Sequence, residues 1–263
     1  MARQRYSYTP TGQLERAEYP DGRVQWRKSD QTGNLYPDPD MRLRRYLGGG
    51  RLEQDGEWHC EYDADGNLTE RYLGTGRWLD GKKDRWRYRW NADGSLAKVV
   101  RPDKREVEFT YDALGRRLSK SFGTTVTRWV WNGNVPLHQW KQHREYSVVE
   151  DRWHTDTERR DMTVWLFDEE SFVPVAMLKE GRSYSILTDQ LGTPTEAYDT
   201  EGNEVWSRIL DMDGNVIEET GNKGMVPFLF QGQYYDRETG LAYNRFRYYS
   251  PQMGMYVSQD PIG

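Results

Sequence analysis

Three segments of the chain alternate apolar and polar residues. They are Arg85–Trp90, Glu106–Tyr111 and, in part, Arg128–Trp131. A period of two predicts β-strands, because successive side chains of a strand point to opposite faces of the sheet. In residues 85–90, three aromatic residues alternate with three arginines. We therefore expect one face of this strand to pack and the other to contact water.

A short pattern recurs between such segments: an aromatic residue, Asp or Asn, two more residues, Gly, and then an aliphatic residue. Close copies begin at Tyr62, Trp90, Tyr111 and Tyr198, and looser copies begin at Tyr8, Ser29 and Leu210. The glycine supplies the positive φ angle that a tight hairpin turn needs. Since one hairpin cannot bury its apolar face alone, we expect successive hairpins to stack into a curved sheet. The sequence thus predicts an all-β fold.

The composition changes this picture in one respect. A hydrophobic fraction of 35% and a mean hydropathy of -1.01 are typical of disordered chains. The chain nevertheless has 11 Trp and 18 Tyr, and each such ring removes roughly 150–250 Å² from water when it is buried. Aromatic side chains can therefore build the core that aliphatic residues do not, and we expect a folded protein.

Charge and residue spacing exclude several classes of function. The 37 basic and 42 acidic residues are spread along the chain and give a net charge of -5, so we expect no nucleic-acid partner. We expect no metal site, because Cys60 is the only cysteine and the histidines are scattered. Without a glycine-rich phosphate loop we also expect no cofactor. The sequence shows neither a signal peptide nor an apolar stretch that could span a membrane.

The aromatic-Asp-x-x-Gly repeat resembles the YD repeat of RHS proteins, insecticidal toxin complex C-components and teneurins. Residues 227–263 resemble the RHS repeat-associated core, from Tyr234-Tyr235-Asp236 to Asp260-Pro261. The resemblance implies a wall of YD-repeat hairpins over residues 1–184 and a core region over residues 185–263. In this family the hairpins wind into a spiralling shell, so we expect a partial β-cocoon that ends in an RHS core plug.

The same resemblance implies a function. It predicts the C-terminal part of an RHS polymorphic toxin shell that encapsulates or presents a C-terminal toxin. The implied partners are that toxin domain, which is absent from this sequence, further shell segments or a second copy of the chain, and proteins of a secretion machinery. An open sheet edge favours such association. We expect a bacterial protein, exported or at the cell surface as part of a larger protein.

The core of this family cuts its own chain after the Leu that follows Asp-Pro-x-Gly, in a reaction like that of aspartic proteases. Carried over by motif position, the catalytic residues are Asp236 and Asp260, and Arg247, or Arg245 beside it, would position the scissile carbonyl. Two neighbouring carboxyl groups suit this chemistry, because one keeps a proton while the other is ionised. The sequence stops at Gly263, before that Leu, so we expect the bond that is cut to lie outside it.

Other readings of these residues remain open. Asp236 and Asp260 can be turn residues without a catalytic role, and the two arginines can form a solvated face. Ser250 stands where the family often has Asp, which puts self-cleavage in doubt, and Met255-Tyr256 stand where it often has Arg-Phe, which changes the charge beside the plug. The aromatic wall could instead bind a glycan or a partner protein. Residues 141–161 alternate little, and we expect them to form a long loop or a protruding hairpin.

Overall fold

The computed structural model describes residues 4–74, 81 and 83–259. These residues form β-strands joined by short turns, together with one 3-10 helix at Gly48–Gly50, which confirms the all-β prediction. The chain divides into two compact units, residues 1–86 and residues 87–263. The boundary expected after residue 184 rests on sequence motifs and stays a prediction.

The first unit contains three groups of antiparallel strands. Strands β1 to β3 form one sheet, β4 pairs with β5, and β6 to β9 pair in chain order. Ala17, Leu52 and Leu68 are fully buried in this unit. The strands are β1 Arg5–Tyr8, β2 Leu14–Glu18, β3 Val24–Trp26, β4 Lys28–Ser29, β5 Leu35–Tyr36, β6 Arg44–Leu47, β7 Arg51–Asp55, β8 Trp58–Tyr62 and β9 Leu68–Leu73.

The second unit is built on a long antiparallel sheet whose strands pair in chain order, except that β15 pairs with both β16 and β17. We call this sheet the wall. Its first strand, β10, begins shortly before the boundary between the units. The strands are β10 Lys83–Trp90, β11 Leu96–Val100, β12 Glu106–Tyr111, β13 Arg117–Phe122, β14 Thr125–Asn132, β15 Val135–Ser147, β16 Arg152–Thr155, β17 Arg160–Phe167, β18 Pro174–Lys179, β19 Arg182–Thr188, β20 Pro194–Tyr198, β21 Glu204–Leu210 and β22 Val216–Gly221.

Each copy of the repeat forms the hairpin turn that its sequence predicts. In the turn after β12, the amide of Asp112 donates to the carbonyl of Arg116 at 2.9 Å, and the amide of Gly115 donates to the carbonyl of Asp112 at 3.0 Å. The Asp112 carboxylate also accepts hydrogen bonds from the amides of Leu114 and Arg116. Gly115 has φ of 74°, a conformation that side chains with a Cβ rarely adopt. The aspartate therefore caps the turn, and the glycine closes it.

The buried apolar side chains of the wall are concentrated on one face, as a period of two allows, together with several charged residues. We call it the aromatic face. Its buried side chains include Val107, Phe109, Trp129, Trp165, Met177, Ile186, Ala197 and Trp206. The opposite face leaves aliphatic side chains partly open to solvent, among them Leu118, Val130, Leu166, Leu178 and Leu187. Aromatic rings thus supply much of the core, as the composition suggests.

Residues 141–161 form a protruding hairpin, which confirms one of the two expectations for them. The first half of β15 pairs with β17, whereas Arg144–Ser147 pairs only with β16. The Arg144 guanidinium lies 4.2 Å from the ring centroid of Trp153. Val148 and Val149 at the tip are 84% and 97% exposed, so the end of the hairpin has little packing.

Gly221, at the end of β22, has no room for a side chain. Its φ is 64°. A Cβ at this position would lie 2.8 Å from the carbonyl carbon of Val205, which is too close for two atoms that are not bonded. We expect Gly221→Ala to lower the free energy of unfolding, measured by urea denaturation, by roughly 1–3 kcal/mol more than Gly202→Ala. Gly202 is the matched control, because it has φ of 84° and open space around it. Equal losses would show that backbone strain alone matters at position 221.

Candidate functional site

The C-terminal segment forms a small sheet of its own on the aromatic face of the wall. Its strands are β23 Tyr234–Asp236, β24 Leu241–Asn244, β25 Arg247–Ser250 and β26 Met255–Tyr256. The hydroxyls of Tyr248 and Tyr111 are 2.8 Å apart, and the ring of Tyr234 meets Trp129 edge-on. The Tyr243 hydroxyl accepts a hydrogen bond from the backbone amide of Arg117 at 2.9 Å. Tyrosines of this segment, which we call the plug (residues 228–256), therefore bond directly to wall strands.

Asp236 lies at the centre of the contact between the plug and the wall. It ends β23 and begins a tight turn, in which its carbonyl accepts hydrogen bonds from the amides of Thr239 and Gly240. Its carboxylate is fully buried and binds two cations of the wall. Arg117 donates through both terminal nitrogens, from Nη1 to Oδ2 and from Nη2 to Oδ1 at 3.2 Å. Lys120 Nζ lies 2.9 Å from Oδ1 and 2.7 Å from Glu238 Oε2.

Arg117 is itself fully buried, inside a cage of aromatic rings. Its guanidinium carbon lies 4.4 Å from the ring centroid of Trp129 and 4.6 Å from that of Tyr243. Tyr234 and Phe109 follow at 5.1 and 5.5 Å. Aromatic faces attract cations, and the attraction grows when the cation is desolvated. The cage therefore offsets part of the free energy needed to bury this charge, and Asp236 neutralises it.

These contacts fix the ionisation of the cluster. Burial alone would raise the pKa of the Asp236 carboxyl, but the charges and hydrogen bonds of Arg117 and Lys120 outweigh burial and hold that pKa below its usual value. Burial would likewise lower the pKa of Lys120, yet Asp236 and Glu238 raise it. The folded protein therefore carries an ionised Asp236 between two cations.

Sequence reasoning did not identify Arg117 or Lys120. A signal was present, because Arg117 occupies the aliphatic position of its repeat. Leu68 and Leu96 hold the same place in their copies, opposite Tyr62 and Trp90 as Arg117 is opposite Tyr111. Both leucines are fully buried. An arginine at a buried aliphatic position of a repeat implies a buried counter-charge elsewhere in the chain.

Arg247, Arg245 and Ser250 make contacts of their own in the plug. Arg247 begins β25, and its guanidinium carbon lies 3.9 Å from the ring centroid of Tyr256. Arg245 has a positive φ of 53° and donates to the carbonyl of Leu114 at 3.3 Å. Ser250 is buried, and its hydroxyl accepts a hydrogen bond from the amide of Met253. Asp260 lies outside the described residues, so the pairing of the two carboxylates stays a prediction.

The described ranges lack two further features. Within them, no group of His, Cys, Asp and Glu side chains is arranged to hold a metal ion. They also contain no helix with the length and apolar character that a membrane crossing needs.

Comparison with known proteins gives consistent matches over the whole chain. The family model described as Teneurin YD-shell matches residues 2–262. Double-stranded DNA deaminase toxin A of Burkholderia cenocepacia is 31% identical, over 98% of this chain and 19% of its own length. Toxin protein Tse5 of Pseudomonas aeruginosa is 32% identical, over 82% of this chain and 18% of its own length. The chain thus spans less than a fifth of these relatives.

Among solved structures, the crystal structure of TcdB2-TccC3-TEV aligns with 99% of this chain at a TM-score of 0.51 and 17% identity. The alignment covers 12% of that larger chain. At this identity the likeness concerns the fold. It agrees with the wall of paired hairpins described above.

The buried ion pair predicts a large effect of Asp236→Asn. The substitution leaves Arg117 and Lys120 buried beside a neutral amide, and we expect the free energy of unfolding to fall by about 3–5 kcal/mol. Glu238→Gln is the control, because it removes a partly exposed partner of the same lysine and is expected to cost less than about 1 kcal/mol. Urea denaturation followed by tryptophan fluorescence measures both. Equally small losses of unfolding free energy in the two variants would contradict a central role of Asp236.

The lowered pKa of Asp236 also predicts a dependence on pH. The unfolded carboxyl titrates near pH ~3.9, so the stabilisation is fully present above that pH and is lost as the pH falls through the folded-state pKa. We expect the free energy of unfolding of the wild type to fall more steeply below about pH 4 than that of Asp236→Asn. Urea denaturation at a series of pH values tests this, and parallel profiles would exclude the predicted coupling.

Proposed function

The chain belongs to the teneurin YD-shell family, and from that premise we propose that it forms part of a bacterial shell that encloses or presents a C-terminal toxin. The observation that carries the proposal is the buried cluster of Asp236, Arg117 and Lys120. It holds the plug on the aromatic face of the wall. A plug that closes a shell needs an attachment that fixes its position in this way.

The burial of the aromatic rings supports a shell rather than a glycan-binding surface. Trp129, Trp165 and Trp206 are at most 2% exposed, and Trp165 meets the plug residue Phe228 edge-on at 4.9 Å. Rings that stack on sugars must be open to solvent. Those of the aromatic face are instead used to pack the plug.

The finer part of the proposal is that the plug cuts its own chain beyond Gly263. In that reaction Asp236 is the ionised carboxylate, since Arg117 and Lys120 hold its pKa low, and Asp260 carries the proton. A water oxygen bonds to the scissile carbonyl carbon as the water gives a proton to Asp236. Asp260 then protonates the departing amine as the peptide bond breaks. Arg247 is assigned to positioning the carbonyl.

The test extends the chain with the Leu of the family motif and a short reporter, and follows intact mass over time. We expect release of the reporter after the appended Leu, and no release in Asp236→Asn or Asp260→Asn. Asp199→Asn is the control, because Asp199 caps an ordinary repeat turn through the amides of Glu201 and Asn203. It should cut as the wild type does.

Since Asp236→Asn is expected to weaken the fold, thermal melting by circular dichroism accompanies each variant. Asp260→Asn keeps Asp236, Arg117 and Lys120 in the chain, and its result decides the role of the second carboxylate. An extended wild-type chain that stays whole rejects self-cleavage and leaves the shell role. In that case Ser250→Asp, which restores the residue common in the family, is the first substitution to try.

A further inference from the structure

A cavity with a strong positive charge lies beside the plug, between its first turn and the wall. Its volume is about 270 Å³. Two acidic residues line it, Asp161 and Glu238, against six basic ones. The basic residues of this cationic cavity are Lys120, Lys141, Lys179, Arg208, Lys223 and Arg237. They come from four strands of the wall, from the loop after β22 and from the plug.

Half of these cations are neutralised by nearby carboxylates. Lys120 binds Asp236 and Glu238, Lys141 Nζ lies 2.7 Å from Asp161, and Arg237 pairs with Glu219. The other three form no ion pair with any carboxylate in the described ranges. They are Lys179, Arg208 and Lys223. Among the residues that the structure describes, the cavity therefore has more cations than carboxylates paired with them.

The cavity continues into a second one that is larger. This neighbour has a volume of about 760 Å³, shares Lys141, Lys179 and Lys223 with the first, and adds Arg182 from β19 and one acidic residue, Glu180. Its size falls in the range of binding sites for organic ligands, roughly 300–1,000 Å³. A single inorganic ion would fill a small part of it. An extended ligand with several anionic groups fits better.

We propose that the cationic cavity and its neighbour bind an acidic polypeptide segment, with carboxylates at Lys179 and Lys223. The proposal goes beyond the shell role and does not depend on self-cleavage. An enclosed toxin is one source of such a segment. In a shell, the site holds that segment next to the plug.

The test uses the full chain and a fluorescein-labelled peptide of alternating glutamate and serine, with binding followed by fluorescence anisotropy. We expect saturable binding that weakens as salt is added, because exposed charge pairs are screened. A peptide of alternating glutamine and serine should not bind. The double variant Lys179→Gln, Lys223→Gln should bind the acidic peptide about tenfold more weakly, which corresponds to about 1.4 kcal/mol for two partly exposed pairs.

The matched control is Lys98→Gln with Lys104→Gln, a half-buried and an exposed lysine outside both cavities. It removes the same charge and should leave binding unchanged. Equally weaker peptide binding by both double variants would show that only net charge matters and would overturn the site. Absence of peptide binding to the wild type would also overturn it. Displacement of the peptide by an equal concentration of inorganic phosphate would mark a site for single anions and overturn the peptide assignment. Free peptide is used, so failed self-cleavage does not affect the result.

Discussion

The ion pair between Arg117 and Asp236 is the interaction on which the second unit depends. Both side chains are removed from water, and the desolvation of two charges can exceed the attraction between them. Such a pair contributes little to stability compared with apolar packing. It does define position, because displacing Asp236 leaves a buried arginine without a counter-charge. The pair therefore fixes where the plug lies on the wall, while the tyrosines around it supply apolar burial.

The aromatic composition of the wall explains how it can bury a charged side chain. A wall rich in Leu and Ile could not surround an arginine at low cost, because aliphatic groups offer a cation nothing in place of water. Trp129, Tyr243, Tyr234 and Phe109 offer their ring faces and still pack as apolar groups. The low mean hydropathy of the chain thus reflects a core of a different chemistry.

The sequence predicted what is local and could not predict what is distant. The Asp-x-x-Gly turns, the strand Glu106–Tyr111 and the one-sided burial of the strand before Trp90 follow from a few neighbouring residues. The partners of Asp236 lie more than a hundred positions earlier in the chain, and no periodicity links them. The cationic cavity could not be predicted from the sequence for the same reason. Charges that look evenly spread along the chain converge when β13, β15, β18 and β21 meet the loop after β22.

The cluster also limits what chemistry Asp236 can perform. A carboxylate that accepts hydrogen bonds from an arginine and a lysine is a weak base, because both cations stabilise its ionised form. Efficient proton abstraction would require the lysine to shift towards Glu238, which it already contacts at 2.7 Å. Of the two cations, Lys120 is better placed for this, since Arg117 is fixed in its cage whereas the ammonium of Lys120 has a second carboxylate to bind. Under the proposed self-cleavage, the same lysine would link attachment of the plug to the basicity of Asp236.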